Sequence, residues 1–191
     1  MTFKKIVFVL SILSLGVFQS CSLSKVMRFA ECEFVFKEIT KLEATGISIK
    51  DKSSVSSLSF MNAAKLAGAF AKEDMQILLD LDLLVKNPNT KEALLNRVDY
   101  IVLLDGEQIL DGTTNERISV PGGGSSTLPL KFNFDLFQVL SGKSTIEVGQ
   151  ILWDLAADTK HPKNMKIKIK PYFTIAKQQV KYPGYISVMK L

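Results

Sequence analysis

The chain has 191 residues, of which 47% are hydrophobic and 23% charged, and its formal net charge at pH 7 is +5. This composition excludes a disordered chain, a collagen-like repeat and a small disulfide-stabilised scaffold, and it predicts one globular domain with a sizeable core. One histidine and two cysteines leave little material for a metal cluster or a nucleophile–histidine catalytic site, so we expect no metal, no cofactor and no enzymatic activity.

The N-terminus has the pattern of a secretory signal. Residues 1–20 contain a short basic start, an apolar run over residues 6–18 and a small residue at the exit, which is typical of a signal peptide. The run is shorter than the roughly 20 apolar residues that span a bilayer. Residues 17–21, Val-Phe-Gln-Ser-Cys, resemble a bacterial lipobox, with Phe18 and Gln19 in place of the usual leucine and small residue.

The lipobox resemblance implies that Cys21 is acylated and becomes the mature N-terminus. The alternative is a plain secretory signal with Cys21 as an incidental thiol. We therefore expect a lipoprotein of the bacterial cell envelope, anchored in the outer membrane and facing the periplasm, with residues 21–28 as a lipidated tether and residues 29–191 as a single domain. The membrane is then a partner through the N-terminal lipid, and nucleic acid is not expected as a partner in that compartment. Cys32 is expected to be buried.

The domain begins with two predicted strands and a helix. Residues 29–39 alternate, with Phe34 and Phe36 on one face and Val35 on the other, and residues 45–49 predict a second short strand. Over residues 59–74 the period becomes helical behind Ser59 as N-cap. The apolar stripe that we expect to pack on the core consists of Phe60, Ala63, Ala64, Ala67, Phe70 and Ala71.

The strongest strand signal covers residues 75–86. Its alternating apolar face consists of Ile77, Leu79, Leu81, Leu83 and Val85. The sequence Asn87-Pro88-Asn89 ends this strand, because proline cannot donate to a ladder and asparagine side chains form local turns.

A hairpin and a further strand follow. Residues 97–104 and 107–113 flank Asp105-Gly106, a two-residue hairpin signal, and residues 115–120 are expected to continue the meander. A glycine–serine loop at residues 121–127 leads into a strand with alternating Leu128, Leu130, Phe132 and Phe134.

The C-terminal part contains two helical segments and two strands. Residues 135–140 predict a short helix, and Ser144 and Glu147 have capping-box spacing ahead of a second, apolar-striped helix. Residues 165–174 and 184–189 are the last predicted strands. The whole pattern predicts a mainly β fold, an immunoglobulin- or fibronectin III-like sandwich with one or two packed helices.

The candidate catalytic and ligand-binding residues are few. His161 lies between two lysines at a polar helix exit and is interpreted as a surface residue. Asp80 and Asp82 share a strand face but lack the shaped loop that calcium requires, so we interpret them as solvated carboxylates. The loop at residues 122–126 lacks the lysine of a phosphate-binding loop.

Positive charge is concentrated at the C-terminus. Residues 159–191 contain eight lysines and no aspartate or glutamate. Lys166, Lys168 and Lys170 alternate with apolar residues, so they share one strand face, and Tyr172 extends the row. One interpretation is a solvated face that discourages edge pairing; the other is a contact for anionic lipid or an acidic envelope partner.

The segment from Asp80 to Asn89 resembles the late embryogenesis abundant type 2 family, also called the water-stress and hypersensitive-response domain. Asn87, Pro88 and Asn89 match its strand-ending motif, and Tyr100, Asp105-Gly106 and Gly112 match the strand and hairpin that follow. The resemblance implies an immunoglobulin- or fibronectin-like sandwich and a non-enzymatic role linked to desiccation or envelope stress. It implies no catalytic residues, and the Asn-Pro-Asn motif is expected to turn the chain.

Two functional hypotheses follow. The first is a non-catalytic, lipid-anchored envelope protein that acts as a stress-protective or interaction module. The alternative is a periplasmic carrier that binds a hydrophobic or amphiphilic ligand between the sandwich and the helix. A substantial void beside Phe60, Phe70 and residues 148–155 would favour the carrier, whereas a close-packed core would favour the interaction module.

Overall fold

The computed structural model describes residues 32–104, 106–160, 162, 165–175 and 178–188; the side chains of 107, 173–175 and 178–180 are not described. The strands are β1 Glu33–Ala44, β2 Ile47–Ser48, β3 Gln76–Lys86, β4 Ala93–Leu95, β5 Arg97–Leu104, β6 Glu107–Thr114, β7 Ile118–Val120, β8 Ser125–Asp135, β9 Met165–Ile175, β10 Gln178–Lys181 and β11 Ile186–Ser187. The helices are α1 Phe60–Lys72, α2 Leu136–Val139 and α3 Thr145–Ala157, with a 3₁₀ turn at Val55–Ser57. The predicted mainly β fold with packed helices is confirmed.

The first sheet has the antiparallel order β2-β1-β3-β8. Strand β3 lies in its centre because both of its edges pair over almost their whole length. Pro129 lies in β8, the edge strand, where a missing N–H costs least. Register shifts in β1 after Phe36 and after Ile39 break its alternation. Val35 lies before both shifts, opposite Leu84, so it is on the other face of the strand from Phe34 and Phe36, as predicted, and it is buried there.

The second sheet has the antiparallel order β10-β9-β5-β6, and β11 also pairs with β9. The predicted hairpin at Gly106 is present, with φ of +88° at that glycine. The predicted continuation of the meander is wrong, because β7 leaves the hairpin and pairs with β4 in a separate two-stranded ribbon. That ribbon connects the two main sheets at the end where β3 stops.

The core lies between the two main sheets. Alternate residues of β3 and β8 from the first sheet and of β5 and β9 from the second belong to one buried apolar cluster. The Tyr100 ring of the second sheet contacts the Phe132 ring of the first edge-on, with centroids 5.0 Å apart. Each fully buried leucine or isoleucine stabilises the fold by about 1.5–3 kcal/mol, so these inward rows fix the register of both sheets.

Helices α2 and α3 cover the end of the sandwich where β3 begins and β5 ends. Asp135 caps α2, and Ser144 and Glu147 form the predicted capping box of α3. Val148, Leu152 and Ala156 of α3 are buried. These helices seal the open end of the apolar layer.

Helix α1 has the predicted N-cap, since the Ser59 hydroxyl accepts from the Asn62 N–H. Its predicted core-facing stripe is correct at Phe70, which packs against the core, and wrong for most of its other members. Of its thirteen residues, all of them described, only Leu66 is fully buried, and Phe60 is 88% exposed. Phe70 contacts Phe137 edge-on at 5.8 Å, so the helix packs through Leu66 and Phe70 and turns much of the predicted stripe outward. The helical period was correct, but a helix that is apolar nearly all round does not reveal which side faces the core.

Candidate functional site: the cationic face of the second sheet

Strand β9 places the three predicted lysines on the outer face of the second sheet. Lys166 is exposed and Lys168 and Lys170 are half-buried, whereas the intervening Ile167 and Ile169 are buried. The spacing of about 6.6–6.8 Å between alternate strand residues sets their separation. We call Lys166, Lys168 and Lys170 the lysine row.

The residues opposite the lysine row on β5 are mostly apolar. Leu103 faces Lys166, Ile101 faces Lys168, and Asp99 faces Lys170 in the strand register. The ammonium group of Lys170 lies 4.9 Å from the ring centroid of Tyr185, a cation–π distance. The row therefore lies along a partly apolar strip, with one carboxylate at its far end.

That carboxylate is the centre of a polar cluster. Asp99 Oδ2 accepts from the Tyr172 hydroxyl at 2.5 Å, and Oδ1 accepts from the Thr113 hydroxyl at 2.8 Å. Arg97 donates from Nε at 3.2 Å and from Nη2 at 3.0 Å to Oδ1, and Lys181 Nζ lies 3.5 Å from Oδ2. We call Arg97, Asp99, Thr113, Tyr172 and Lys181 the Asp99 cluster.

Tyr172 lies in the middle of this cluster. It is 8% exposed although it shares the outer face of the sheet with the lysine row. The Arg97 guanidinium lies 4.7 Å and the Lys181 ammonium 5.1 Å from its ring centroid. Tyr172 thus continues the lysine row in register, as predicted from the alternation, but two cations cover its ring and it offers little surface of its own.

The electrostatics of the cluster follow from these contacts. Burial alone would raise the pKa of Asp99, but hydrogen bonds from Tyr172, Thr113 and Arg97 outweigh it and hold that pKa below its ordinary value. The hydrogen bond with Tyr172 raises the pKa of Lys181. Asp99 therefore stays ionised with both oxygens engaged, so it is arranged to hold the cluster together and is poorly placed to act as a general base.

The outer face as a whole is cationic. The lysine row, Arg97 and Lys181 contribute five positive charges, against Asp99 in their midst and Asp111 on β6. Such a face attracts anions over about 8–10 Å at physiological salt. Its chemistry suits reversible binding of a negatively charged surface.

The Asn-Pro-Asn motif lies at the end of β3 nearest the β4–β7 ribbon. Asn87 is 2% exposed; its Nδ2 donates to the carbonyls of Lys91 and Val120 at 2.9 and 3.0 Å. Its Oδ1 accepts from the backbone N–H and the side-chain amide of Asn89, each at 3.1 Å. The Asn87 N–H donates to the Gly124 carbonyl at 2.9 Å. One buried amide thus joins the loop after β3 to the loop before β8.

Tyr100 and Gly112, two further residues that carry the family resemblance, face each other across the hairpin. Tyr100 on β5 and Gly112 on β6 are directly opposite in the register. A Cβ at position 112 would overlap the phenol of Tyr100. Glycine at 112 is therefore the residue that leaves room for the inward-facing tyrosine.

A family model described as "Late embryogenesis abundant protein" matches residues 82–183. The chain belongs to this late embryogenesis abundant family. The match begins inside β3 and covers the Asn-Pro-Asn motif, the Tyr100–Gly112 pair, the lysine row and the Asp99 cluster. Late embryogenesis abundant proteins of this family are generally non-enzymatic and stress-related.

Solved structures give weaker likenesses. A late embryogenesis abundant protein studied in solution is 15% identical, with 93% of this chain and 87% of that chain covered and a TM-score of 0.35. A protein from Archaeoglobus fulgidus is 16% identical, with 59% and 82% covered and a TM-score of 0.35. No curated protein matches the sequence.

Those remaining predicted site residues of this late embryogenesis abundant protein that the structure describes lie apart from the cationic face. Cys21, the signal peptide and His161 lie outside the described residues. Cys32 is buried at the start of the domain. Asp80 and Asp82 are half-buried on the first sheet, where Lys37 lies 3.7 Å from Asp82. In the described ranges, no three His, Cys, Asp or Glu side chains converge to hold a metal ion, and no helix is long and apolar enough to cross a membrane.

A small cavity within the described core bears on the carrier hypothesis. Its volume is about 20 Å³, and it is lined by apolar side chains between the sheets and α3, including Val102, Phe134 and Leu152. Its lining includes neither Phe60 nor Phe70. Ligand pockets usually enclose about 300–1,000 Å³, so this space resembles a packing gap.

Arg97, Asp99 and Lys181 were not among the site residues predicted from the sequence. Alternation along β5 places Arg97 and Asp99 on its outer face, which was available from the sequence. Arg97 and Asp99 meet Tyr172 and Lys181 only because β5 pairs with β9 and β9 pairs with β10. Tyr172 and Lys181 lie more than 70 residues after β5 residues Arg97 and Asp99 in the chain.

Proposed function

We propose that this protein is a non-catalytic, lipid-anchored component of the bacterial cell envelope that acts as an interaction module, in keeping with the stress-related role of its family. The cationic face of the second sheet is its contact surface, and an anionic envelope partner is what that face binds. The observation that carries the proposal is the alignment of the lysine row with the Asp99 cluster on one outer sheet face.

The arrangement of the face supports binding over catalysis. The Asp99 carboxylate is held by four neighbouring donors, which makes it a structural anion surrounded by cations. The lysines project from a rigid strand whose alternate residues are buried, so their positions are fixed by the core. A pre-positioned charge pattern of this kind loses little entropy when it meets a matching anionic surface.

The contact is tested by changing Lys166, Lys168 and Lys170 together to glutamine. Binding to vesicles that contain anionic lipid should fall several-fold at low salt, and the difference from wild type should disappear near 0.5–1 M salt. The matched control changes the exposed lysines Lys37, Lys41 and Lys131 of the first sheet to glutamine. Equal binding by both triple variants would contradict a specific role for the cationic face. Loss of capture by an acidic protein or glycan, with unchanged vesicle binding, would assign the face to that partner.

The anchor is supported by the lipobox-like sequence that ends at Cys21, and in this proposal the domain faces the periplasm from the outer membrane. Changing Cys21 to alanine should abolish metabolic labelling by a fatty-acid analogue, because the lipid is attached through the cysteine thiol. Changing Cys32 to alanine is the control and should leave the label in place. Label that persists on the Cys21→Ala protein would contradict the lipoprotein assignment.

The core packing gives the carrier hypothesis little support. A carrier would need a void beside α1 and α3, whereas the cavity under α3 holds about one water-sized sphere.

A further inference from the structure

Helix α1 carries an apolar surface on its solvent side. Phe60 is 88% and Met61 79% exposed, and Ala64, Ala67 and Ala71 are exposed as well. At 100° per residue these five side chains fall on the side of the helix opposite the buried Leu66. We call Phe60, Met61, Ala64, Ala67 and Ala71 the outer stripe.

The fold does not require the outer stripe. The helix is already held by buried Leu66, by the Phe70–Phe137 ring contact and by the close approach of Phe70 to Gly149. A surface helix that packs in this way normally carries polar residues on its other side. A row of exposed apolar groups on one side of a helix, with a phenylalanine and a methionine among them, is a candidate surface for contact with another molecule.

Two more exposed apolar side chains belong to segments next to α1. Ile146, 75% exposed, lies about one turn before Gly149 of α3, the residue that faces Phe70. Val55, 44% exposed, lies in the 3₁₀ turn just before α1.

The size of this surface disfavours a second copy of the chain as its occupant. A 13-residue helix is about 20 Å long and 10 Å wide, so the stripe covers roughly 200 Å². A stable interface buries about 800 Å² on each partner, and Val55 and Ile146 do not make up the difference. A lipid bilayer sets no such minimum, since a few inserted apolar side chains can hold a domain that is already close to it.

The charges around the stripe fit an anionic bilayer. Between residues 52 and 72 the sequence contains Lys52, Lys65 and Lys72 and no acidic residue. At 100° per residue, Lys72 and Lys65 lie next to Met61 around the helix axis. Both lysines therefore border the outer stripe on its Met61 side. Glu73 and Asp74 come only after the last turn, about 18 Å along the axis from Phe60. The end of α1 with the largest apolar side chains is therefore the end without carboxylates.

We propose that α1 is a membrane-contact helix that inserts Phe60 and Met61 at the acyl boundary of an anionic bilayer, with Lys65 and Lys72 at the level of the lipid phosphates. This contact goes beyond the proposed function, which uses the second sheet and Cys21 and needs nothing from α1. The eleven residue-to-residue steps from Cys21 to Cys32 can span at most about 36–40 Å, so an anchor at Cys21 is compatible with the contact.

The test measures whether position 60 reaches lipid acyl chains. The full chain is reconstituted into vesicles with Phe60→Trp in a Trp153→Phe background, and the lipids carry bromine on their acyl chains. Tryptophan at position 60 should show a blue-shifted emission and at least twofold quenching in anionic vesicles, and less in neutral vesicles. The matched control is Leu94→Trp in the same background, at a 58% exposed position on β4, which should not be quenched.

The outcomes separate this inference from the proposed anchor. Flotation reports whether the chain is attached to vesicles, and quenching reports whether α1 touches them. A chain that floats without quenching at position 60 overturns the membrane contact and leaves the anchor standing. A blue shift without quenching overturns it in favour of a protein partner or a second copy. Quenching in the Cys21→Ala chain as well supports a contact that is independent of acylation.

A second measurement guards against misfolding of the Trp153→Phe background. Phe60→Trp and Leu94→Trp are each introduced into a chain that keeps Trp153. The emission of Trp153, measured in the wild-type chain, is then subtracted. Changing Lys65 and Lys72 to glutamine should then reduce quenching at position 60 at least twofold in anionic vesicles. Unchanged quenching would overturn the role of these lysines.

Discussion

The Tyr172 hydroxyl donates a 2.5 Å hydrogen bond to Asp99, and this bond joins two strands whose residues are 73 positions apart in the chain. Tyr172 lies on β9 and Asp99 on β5, the two central strands of the second sheet. Thr113 from β6 and Lys181 from β10 reach the same carboxylate. A single ionised group therefore ties together four of the five strands of this sheet on its outer face, β10, β9, β5 and β6.

Changing Tyr172 to phenylalanine should lower the free energy of unfolding by about 1.5–3 kcal/mol, because the bond to a charged acceptor is lost and the carboxylate is left under-satisfied. Urea denaturation of the wild-type and variant chains measures the difference. Tyr185→Phe is the control, since Tyr185 is 45% exposed, and it should change stability by less than about 0.5 kcal/mol. Equal effects of the two changes would show that the Asp99 cluster does not stabilise the sheet.

Stability should depend on pH through Asp99. Its folded-state pKa is held below the ordinary value of about 3.9, so the unfolded chain takes up its proton at a higher pH than the folded chain. The stabilisation is therefore complete above about pH 4 and is lost as pH falls through the lowered pKa. Asp99→Asn should flatten the fall in urea midpoint below pH 4, and Tyr172→Phe should flatten it partly. A steep acid transition that is unchanged in Asp99→Asn would assign the acid sensitivity to other carboxyls.

Asn87→Ala should lower the free energy of unfolding by about 2–3 kcal/mol, because two carbonyls and one backbone N–H lose a buried partner. Asn89→Ala is the control, since it removes one side-chain donor and keeps the backbone bond; it should cost about 0.5–1 kcal/mol. Thermal unfolding of both variants tests this. Loss of binding to anionic vesicles at an unchanged melting temperature would instead make the motif a contact site.

Gly112→Ala should destabilise the hairpin by about 1–3 kcal/mol, because the new methyl group displaces the Tyr100 ring from its place against Phe132. Gly68→Ala is a control with the opposite sign. Position 68 is open space in a helix, so alanine there should stabilise by about 0.5–1 kcal/mol. Near-ultraviolet circular dichroism and urea midpoints report both effects. Retention of the wild-type midpoint in Gly112→Ala would contradict the steric interpretation.

Strand periodicity determined a large part of this structure from the sequence alone. The alternating rows of β3, β8 and β9 have one apolar face each, so their buried residues and the shared face of the lysine row follow directly from a period of two. Local side-chain chemistry determined the caps at Ser59 and Ser144 and the turn at Gly106 in the same way, since each depends on contacts within about four residues.

Only the tertiary structure decided which strands pair and which side of an apolar helix is buried. β7 pairs with β4 instead of its hairpin neighbour, β10 brings Lys181 to Asp99, and α1 turns Phe60 outward while Leu66 packs inward. Pairing between distant strands is chosen by the fit of whole faces in one core, which no short window of sequence contains. A helix with apolar residues on nearly every side carries no local signal for its orientation, so the surface left free after packing decides what α1 can contact.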